Sequence, residues 1–213
     1  MKPRFRDRVD AGQQLSQALQ GYESSRPLIL GLARGGVVLA GEIARTLHAD
    51  LDVLIARKVG ARGQPEFGIG AVAPGGIQVA NDRALAMLHI SSDDFRQLAA
   101  REELEVKRRL REYRGNRPLQ LAGRSVIIVD DGLATGVTAQ AAVRYARSQN
   151  PEKLVLAVPI CTHQARKLLE LEVDELVFLH EPEPFYSVGQ FYEDFAQVDD
   201  DEVIRLLREA NND

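Results

Sequence analysis

Short apolar runs, each bounded by polar or glycine-rich residues, recur along the chain and alternate with longer segments of helical periodicity. Runs of this length that are rich in Val, Ile and Leu are typical of strands buried on both faces of a parallel sheet. The alternation predicts an α/β protein, a parallel-sheet core flanked by helices. The predicted strands cover residues 27–32, 51–56, 126–129, 153–158 and 173–179, and the clearest helices cover 7–21, 37–47 and 163–171.

One predicted helix interrupts this alternation. Its apolar residues, Phe95, Leu98, Val106, Leu110 and Tyr113, fall on one face, and its other positions are dense in Arg, Lys and Glu. Such a helix is usually a solvated face with i,i+4 ion pairs. The alternatives are an arm that packs on a partner subunit, or a helix that offers Arg108, Arg109 and Arg111 to an anionic substrate. We expect a helical insertion over about 91–115 within a single domain, 1–213.

Composition narrows the classes of partner. The 213 residues carry a net charge of -4, which gives no global reason to expect nucleic acid as a partner. The single cysteine, Cys161, excludes an internal disulfide, and a reducing cytoplasm is the simplest setting. No stretch approaches the roughly 18 apolar residues of a membrane span. We expect a soluble cytoplasmic protein with no membrane partner.

The residues after the third predicted strand carry the most informative chemistry. Asp130 and Asp131 would lie at its carboxyl end, where open α/β sheets bind ligands. The loop from Ala134 to Thr138 precedes a helix, which Thr135 or Thr138 would cap, and its free backbone amides favour an anion such as a phosphate monoester. The carboxylates suit vicinal hydroxyls, or Mg²⁺ held through water. This combination indicates a sugar-phosphate site; the other interpretation is an ordinary strand, turn and helix with solvated acids.

Two more predicted strands end in residues suited to phosphate chemistry. Strand 27–32 runs into a glycine-rich turn over 31–36, where a helix entry again supplies backbone donors and Arg34 adds a planar cation. Strand 51–56 ends at Arg57 and Lys58, and four glycines between positions 60 and 70 predict a lid that could close over a ligand. The plain alternatives are a surface arginine at a helix entry and a hairpin with no catalytic part.

Residues 126–138 resemble the thirteen-residue signature with which type I phosphoribosyltransferases bind 5-phosphoribosyl 1-pyrophosphate (PRPP): four apolar residues, two acids and a loop ending in Thr-Gly-x-Thr. The resemblance implies a Mg²⁺-dependent enzyme, in which Asp130 and Asp131 hold the ribose hydroxyls and, through water or those hydroxyls, the metal. It also implies a pyrophosphate loop with a non-proline cis peptide at Ala33-Arg34 or Leu32-Ala33. The implied PRPP-binding residues are Asp130, Asp131, Ala134, Thr135, Gly136, Val137 and Thr138, together with Ala33, Arg34 and Gly35.

Two further segments carry resemblances to particular branches of the family. Arg57 and Lys58 look like the Arg-Lys pair that precedes the mobile catalytic loop of adenine phosphoribosyltransferases, so the implied catalytic residues are Arg57, Lys58 and Glu66. Five of the chain's twelve aromatic residues fall within 181–195. That segment resembles the hood of 6-oxopurine phosphoribosyltransferases, about 181–200 here, and implies base-binding residues Phe185, Tyr186, Glu193 and Asp194. The alternative is a tail that packs its aromatic rings on the core.

The two branch resemblances disagree about the acceptor. In 6-oxopurine enzymes an aspartate stands at the position of Ala134, whereas the Ala-Thr-Gly-x-Thr form is similar to the adenine and orotate branches. We predict transfer of the phosphoribosyl group of PRPP to a nitrogen of a nucleobase or base-like acceptor with release of pyrophosphate, the acceptor being left open. The expected partners are PRPP, that acceptor and a second copy of the chain in a homo-oligomer, a dimer. The alternatives are a non-catalytic PRPP-binding regulatory protein and a sugar-phosphate hydrolase.

Overall fold

The structure, a computed structural model, describes residues 4–115 and 117–211, and for Pro65, Glu66 and Asn211 it describes the backbone alone. The helices and strands of these residues follow one another as α1 (Arg8–Ala18), β1 (Leu28–Leu32), α2 (Gly35–Leu47), β2 (Asp50–Leu54), β3 (Arg57–Ala61), β4 (Gln64–Ala73), β5 (Ile77–Ala80), α3 (Asp82–Met87), α4 (Ser92–Arg114), β6 (Ser125–Val129), α5 (Val137–Ser148), β7 (Lys153–Ile160), α6 (His163–Leu169), β8 (Glu175–His180) and α7 (Asp200–Asn211).

A five-stranded parallel sheet in the order β2-β1-β6-β7-β8 forms the centre of the fold. Every residue of β1 is buried, because helices cover both faces of the sheet. Successive residues of each strand therefore enter two different cores: Ile29 and Ile127 lie in one, and Leu30 and Ile128 in the other. The predicted α/β class and all five predicted strands are confirmed, with bounds that differ by a few residues.

The strand order places a crevice between β1 and β6. From β1 the chain passes to β2 on one side, and from β6 it passes to β7 and then β8 on the other. The connections that follow β1 and β6 thus leave their neighbouring carboxyl ends in opposite directions. This is the switch point at which open α/β sheets bind ligands.

The glycine-rich segment that was expected to form a lid is an antiparallel hairpin. Strands β3 and β4 pair across a turn that contains Gly63 at φ +77°, and β5 adds a third strand. The register shifts near Gly60, where the ladder is irregular. One side of this small sheet packs against α5 and the other against α4.

Helix α4 lies within the predicted 91–115 and is part of the packed structure. Its start is capped by the Ser91 hydroxyl, which accepts a hydrogen bond from the amide of Asp94. Phe95, Ala99 and Val106 are buried on the face that meets β3 and β4. Arg108 on the outer face forms ion pairs with Glu105 and Glu112, as expected of a solvated charged surface.

The two ends of the chain meet beside the carboxyl edge of the sheet. Phe5 pairs with Tyr192, and α1 and α7 both pack on α2. We call residues 4–6 together with 185–196 the hood, since they form one connected segment at this edge. Within the described part of the chain, we find no helix long and apolar enough to cross a membrane.

Candidate active site

The amino end of α2 lies directly on the end of β6, and two glycines permit this approach. A Cβ atom added to Gly36 would lie 2.3 Å from the carbonyl oxygen of Val129, and one added to Gly35 would lie 2.1 Å from Oδ2 of Asp131. Only hydrogen fits at either position, because real Cβ atoms do not come this close to other heavy atoms. The loop after β1 and the acid pair after β6 are thereby brought into one site.

The loop after β1 has a cis peptide bond between Ala33 and Arg34, one of the two positions that the family resemblance implied. Arg34 then leads into α2. Its guanidinium lies 3.5 Å from a carboxylate oxygen of Asp200, at the start of α7. That carboxylate also accepts a hydrogen bond from the hydroxyl of Tyr113 at 2.5 Å, and this bond and the nearby arginines lower its pKa. The cation of the loop is thus held by an anion from the C-terminal helix.

The two acids differ in their partners. Oδ2 of Asp131 accepts a hydrogen bond from Nε of Arg8 at 2.9 Å and forms an ion pair with Nη2 at 2.9 Å, whereas Oδ1 of Asp130 accepts a hydrogen bond from the Asp131 amide at 2.9 Å. Burial and then the charge of Asp131 raise the pKa of Asp130 well above its usual range. Burial also raises the pKa of Asp131, and Arg8 opposes that rise. The site therefore presents desolvated carboxylates that gain most from a ligand with hydroxyl donors or positive charge.

The loop of residues 134–138 leads into α5 in a different way from that predicted. Gly136, at φ +79°, is the N-cap of the helix, and no side chain caps it, so the prediction that Thr135 or Thr138 would cap is wrong. A left-handed residue at this position favours glycine. The hydroxyls of Thr135 and Thr138 form no hydrogen bond with any described residue. They remain available, with the first amides of α5, to an anion.

Contacts from β7 and the turn after it hold the same loop in place. The amide of Leu133 donates to the carbonyl of Ile160 at 2.8 Å, and the hydroxyl of Thr162 donates to the carbonyl of Ala134 at 2.5 Å. Ala165 of α6 also lies close to this loop, since a Cβ atom added to Gly136 would be 3.2 Å from the Cβ atom of Ala165. The loop of residues 134–138 is therefore held in place by β7, by the turn after it and by α6.

The predicted catalytic residues follow β2 at the same edge of the sheet. Arg57 begins β3, and its Nε donates to a carboxylate oxygen of Glu102 in α4 at 2.6 Å. The side chain of Lys58 lies along Gly68, since a Cβ there would be 3.1 Å from Cδ of Lys58. The side chain of Glu66 lies outside the described residues. The structure thus directs the Arg57 guanidinium toward α4.

The predicted base-binding residues lie in the hood with different exposures. Phe185 stacks on Phe191 with ring centroids 5.9 Å apart and is half-buried, whereas Tyr186 is 83% exposed. Glu193 and Asp194 are exposed, and their amides donate to the carbonyls of residues 5 and 6. One face of the Phe185 ring is therefore already in contact with protein, while the Tyr186 ring is open to a ligand.

Sequence reasoning missed two residues that contact the acid pair, Arg8 and Tyr192. The hydroxyl of Tyr192 donates to the carbonyl of Asp131 at 2.7 Å. The contact between Arg8 and Asp131 spans 123 positions of the chain. A lone arginine in an amphipathic helix gives no local signal of this contact. Tyr192 belongs to the aromatic cluster within 181–195, but no local pattern indicated its contact with Asp131.

Comparison with known proteins agrees with this geometry. A family model described as phosphoribosyl transferase domain matches residues 9–195. Two Mycobacterium tuberculosis proteins provisionally named phosphoribosyl transferases, from strains CDC 1551 / Oshkosh and H37Rv, are each 41% identical over 210 residues, covering 98% of this chain and 47% of theirs. The chain thus spans about half the length of the curated relatives it matches.

Two solved structures are similar over almost the whole chain. A Thermus thermophilus protein is 41% identical with a TM-score of 0.79, covering 97% of this chain and 98% of that one. A purine phosphoribosyltransferase from Pyrococcus horikoshii is 18% identical with a TM-score of 0.50, covering 90% and 93%. At 18% identity the second likeness concerns the fold alone.

Proposed function

Because the chain belongs to the phosphoribosyl transferase domain family, we propose that it transfers the 5-phosphoribosyl group of PRPP to a nitrogen of a nucleobase or base-like acceptor and releases pyrophosphate. The observation that carries the proposal is the meeting of three features at the switch point of the sheet. These are the acid pair after β6, the anion-binding loop before α5, and the loop with a cis peptide before α2.

Each part of PRPP has a chemically matching partner in this proposal. The 5-phosphate lies against residues 134–138, where the amides of α5 and the hydroxyls of Thr135 and Thr138 donate to it. The ribose hydroxyls donate to Asp130 and Asp131. The pyrophosphate lies against the backbone of residues 33–35, and Arg34 supplies a forked cation once it leaves Asp200.

Magnesium is the metal that we propose for this site, and the donors present fit it. Among the described residues no cluster of three or more His, Cys, Asp or Glu could hold a metal by itself. Mg²⁺ typically takes one or two carboxylates and completes its shell with water and substrate oxygens. Asp130 and Asp131 provide such a partial set, directly or through water. When bound, the ion would offset the negative charge that develops on the departing pyrophosphate.

Positioning and electrostatics account for the proposed chemistry. The bond between C1 and the pyrophosphate oxygen breaks with its electrons on oxygen, and a nitrogen lone pair forms the new bond to C1. Arg57 and Lys58 stabilise the leaving group if the β3–β4 hairpin approaches it, which requires Arg57 to exchange Glu102 for phosphate. No covalent protein intermediate is needed, since holding the two reactants in line supplies most of the rate enhancement.

The acceptor would bind under the hood. Tyr186 has the more exposed ring and is the better stacking surface for a flat heterocycle, while one face of the Phe185 ring already packs on Phe191. Glu193 and Asp194 could accept hydrogen bonds from ring N–H or amino groups. The methyl group of Ala134 cannot take up a proton, so the proton lost by the attacking nitrogen would pass to one of these carboxylates or to water.

Isothermal titration of PRPP with and without Mg²⁺, followed by a pyrophosphate-release assay across a panel of bases, tests the proposal. We expect Mg²⁺-dependent binding that is lost in Asp130→Asn/Asp131→Asn, and release that depends on one class of base. Binding without release for any base would support a regulatory protein that senses PRPP. Release without a base would support a hydrolase, and no binding by folded wild type would refute the PRPP site.

The setting of the protein completes the proposal. We propose a cytoplasmic homodimer active in nucleotide metabolism. Cys161 is buried, and burial raises the pKa of its thiol to about 12, so it would stay reduced and unreactive in that compartment. Sedimentation equilibrium gives the oligomeric state directly, and a monomer at micromolar concentration would refute the dimer.

A further inference from the structure

The side chain of Arg8, in α1, contacts three other residues at the site described above. Its Nε donates a hydrogen bond to Oδ2 of Asp131 at 2.9 Å, its Nη2 forms an ion pair with the same oxygen at 2.9 Å, and its Nη1 donates to the carbonyl of Ala196 at 2.7 Å. Its guanidinium carbon lies 3.9 Å from the centre of the Phe195 ring. The side chain is only 11% exposed. Arg8 thus joins the N-terminal helix, the hood and one acid of the pair.

We propose that Arg8 is a positioning residue of the ribose site, which holds Asp131 in the orientation that PRPP requires and connects that acid to the hood. The inference rests on the proposed function of the site. Both contacts of Arg8 are with Oδ2, and no other described residue donates to Oδ1 of Asp131. The carboxylate is therefore fixed from behind while one oxygen stays available to a ribose hydroxyl.

Arg8 also makes the two acids unequal. Asp131 has a guanidinium partner, whereas the Asp130 carboxylate accepts a hydrogen bond from a backbone amide. The guanidinium thus restrains the side chain of Asp131, whereas among the described residues only the adjacent backbone amide restrains that of Asp130. Loss of Arg8 would therefore release the orientation of one acid of the pair and leave that of the other unchanged.

The same arginine links ribose binding to the acceptor side. Arg8 contacts residues 195 and 196, and Tyr192 donates to the carbonyl of Asp131, so the hood touches this acid from two directions. A lysine could replace the charge of Arg8. It could not reproduce the fork that reaches Asp131 and Ala196 together, nor the planar contact with Phe195.

The experiment compares Arg8→Gln and Arg8→Lys with Arg45→Gln. Arg45 lies near the C-terminal end of α2, is exposed and pairs with Glu42 at 2.7 Å, so it controls for the loss of one positive charge. We expect Arg8→Gln to raise the Kd for PRPP with Mg²⁺ by roughly 10- to 100-fold, as when a residue that orients a ligating group is removed. Arg8→Lys should recover part of the loss, and Arg45→Gln should match wild type.

Affinity measured on folded protein separates positioning from a merely structural role. If Arg8 orients Asp131, Arg8→Gln weakens PRPP binding at a temperature where the variant is fully folded, and Arg8→Lys recovers part of that loss. If Arg8 only stabilises the fold, Arg8→Gln has a lower melting temperature while the folded variant binds PRPP with the wild-type Kd, and that result would overturn the proposal. Tighter binding by Arg8→Gln would also overturn the proposal, since Arg8 would then be a plug that PRPP displaces.

Measurement of wild type first distinguishes failure of this inference from failure of the proposed function. If folded wild type does not bind PRPP with Mg²⁺, the proposed function fails and this inference fails with it. If wild type binds PRPP and folded Arg8→Gln binds with the same Kd, the positioning role of Arg8 alone is refuted. Arg8→Lys takes the place of Arg8→Gln in this comparison if the latter does not fold.

Discussion

Gly36→Ala is the substitution that most directly tests how the site is assembled. The added Cβ would lie 2.3 Å from the Val129 carbonyl oxygen and 3.0 Å from Cα of Asp130, so both neighbours are backbone atoms of the strand end that carries the acids. Neither can rotate away, and α2 must shift from β6. Overpacking of a core costs roughly 1–3 kcal/mol, and we expect the upper end, about 3 kcal/mol, because no side chain can absorb the strain.

Gly41→Ala in the same helix is the matched control. There the nearest atom to an added Cβ is Cδ2 of Leu206, at an ordinary contact distance of 4.0 Å. Replacing a helical glycine by alanine stabilises by about 1 kcal/mol. The same substitution in the same helix should therefore lower the free energy of unfolding at position 36 and raise it at position 41.

Thermal and urea unfolding of the two variants provide the assay. For a chain of this size, each kcal/mol shifts the melting temperature by roughly 2–4 °C, so Gly36→Ala should melt roughly 6–12 °C below wild type and Gly41→Ala roughly 2–4 °C above it. PRPP affinity should fall in Gly36→Ala and stay unchanged in Gly41→Ala. If Gly36→Ala melts with wild type, α2 does not lie on β6 as described. If Gly41→Ala is destabilised to the same extent, helix propensity and packing have been weighed wrongly.

Four further substitutions probe charge and exposure. The raised pKa of Asp130 means that this group keeps its proton to higher pH in the native state than in the unfolded state, so the stability associated with it is lost as pH rises through the raised pKa. Asp130→Asn should therefore melt at a higher temperature than wild type at pH 8, and the difference should be smaller at pH 5. Thermal unfolding at the two pH values checks this. Arg114→Gln should lower the free energy of unfolding, measured in urea, by about 3 kcal/mol. Arg114 is 8% exposed and binds both carboxylate oxygens of Asp52 at 2.8 Å, so removal of the arginine leaves that acid unpaired. Tyr186→Ala should raise the KM for the acceptor without lowering the melting temperature, whereas Phe185→Ala should cost roughly 2 kcal/mol of stability, and equal melting temperatures would contradict this assignment.

The strands and the main ligand-binding loops could be predicted because their signals are local. Each core strand is a short apolar run, and in a parallel sheet the residue after such a run must lie at the carboxyl edge. Asp130 and Arg34 therefore belong to one edge whatever the register of the strands. The capping prediction failed at Thr135 because a left-handed glycine, Gly136, can end a loop and start a helix without any side chain.

One glycine of the hairpin has a packing role in addition to the lid that was predicted from the glycines of this segment. A Cβ added to Gly70 would lie 2.4 Å from the carbonyl oxygen of Val79 and 2.5 Å from the ring of Phe95. Gly70 is thus required by the close approach of β5 and α4. Phe95, whose ring makes glycine necessary here, lies about 25 positions further along the chain, and the periodicity of residues within the segment does not indicate this contact.

Acceptor choice should be sought where the two chain ends meet. The loops after β1 and β6 follow directly from strand, turn and helix, and in the proposed function they would bind the parts of PRPP that are the same for every acceptor. The hood depends on pairing between Phe5 and Tyr192 and on the long-range contact of Arg8, which no local pattern determines. Since Arg8 and Tyr192 both contact Asp131, a substitution that reshapes the hood also disturbs Asp131. Changes in acceptor preference should therefore come with changes in PRPP affinity, unless they are confined to exposed residues such as Tyr186.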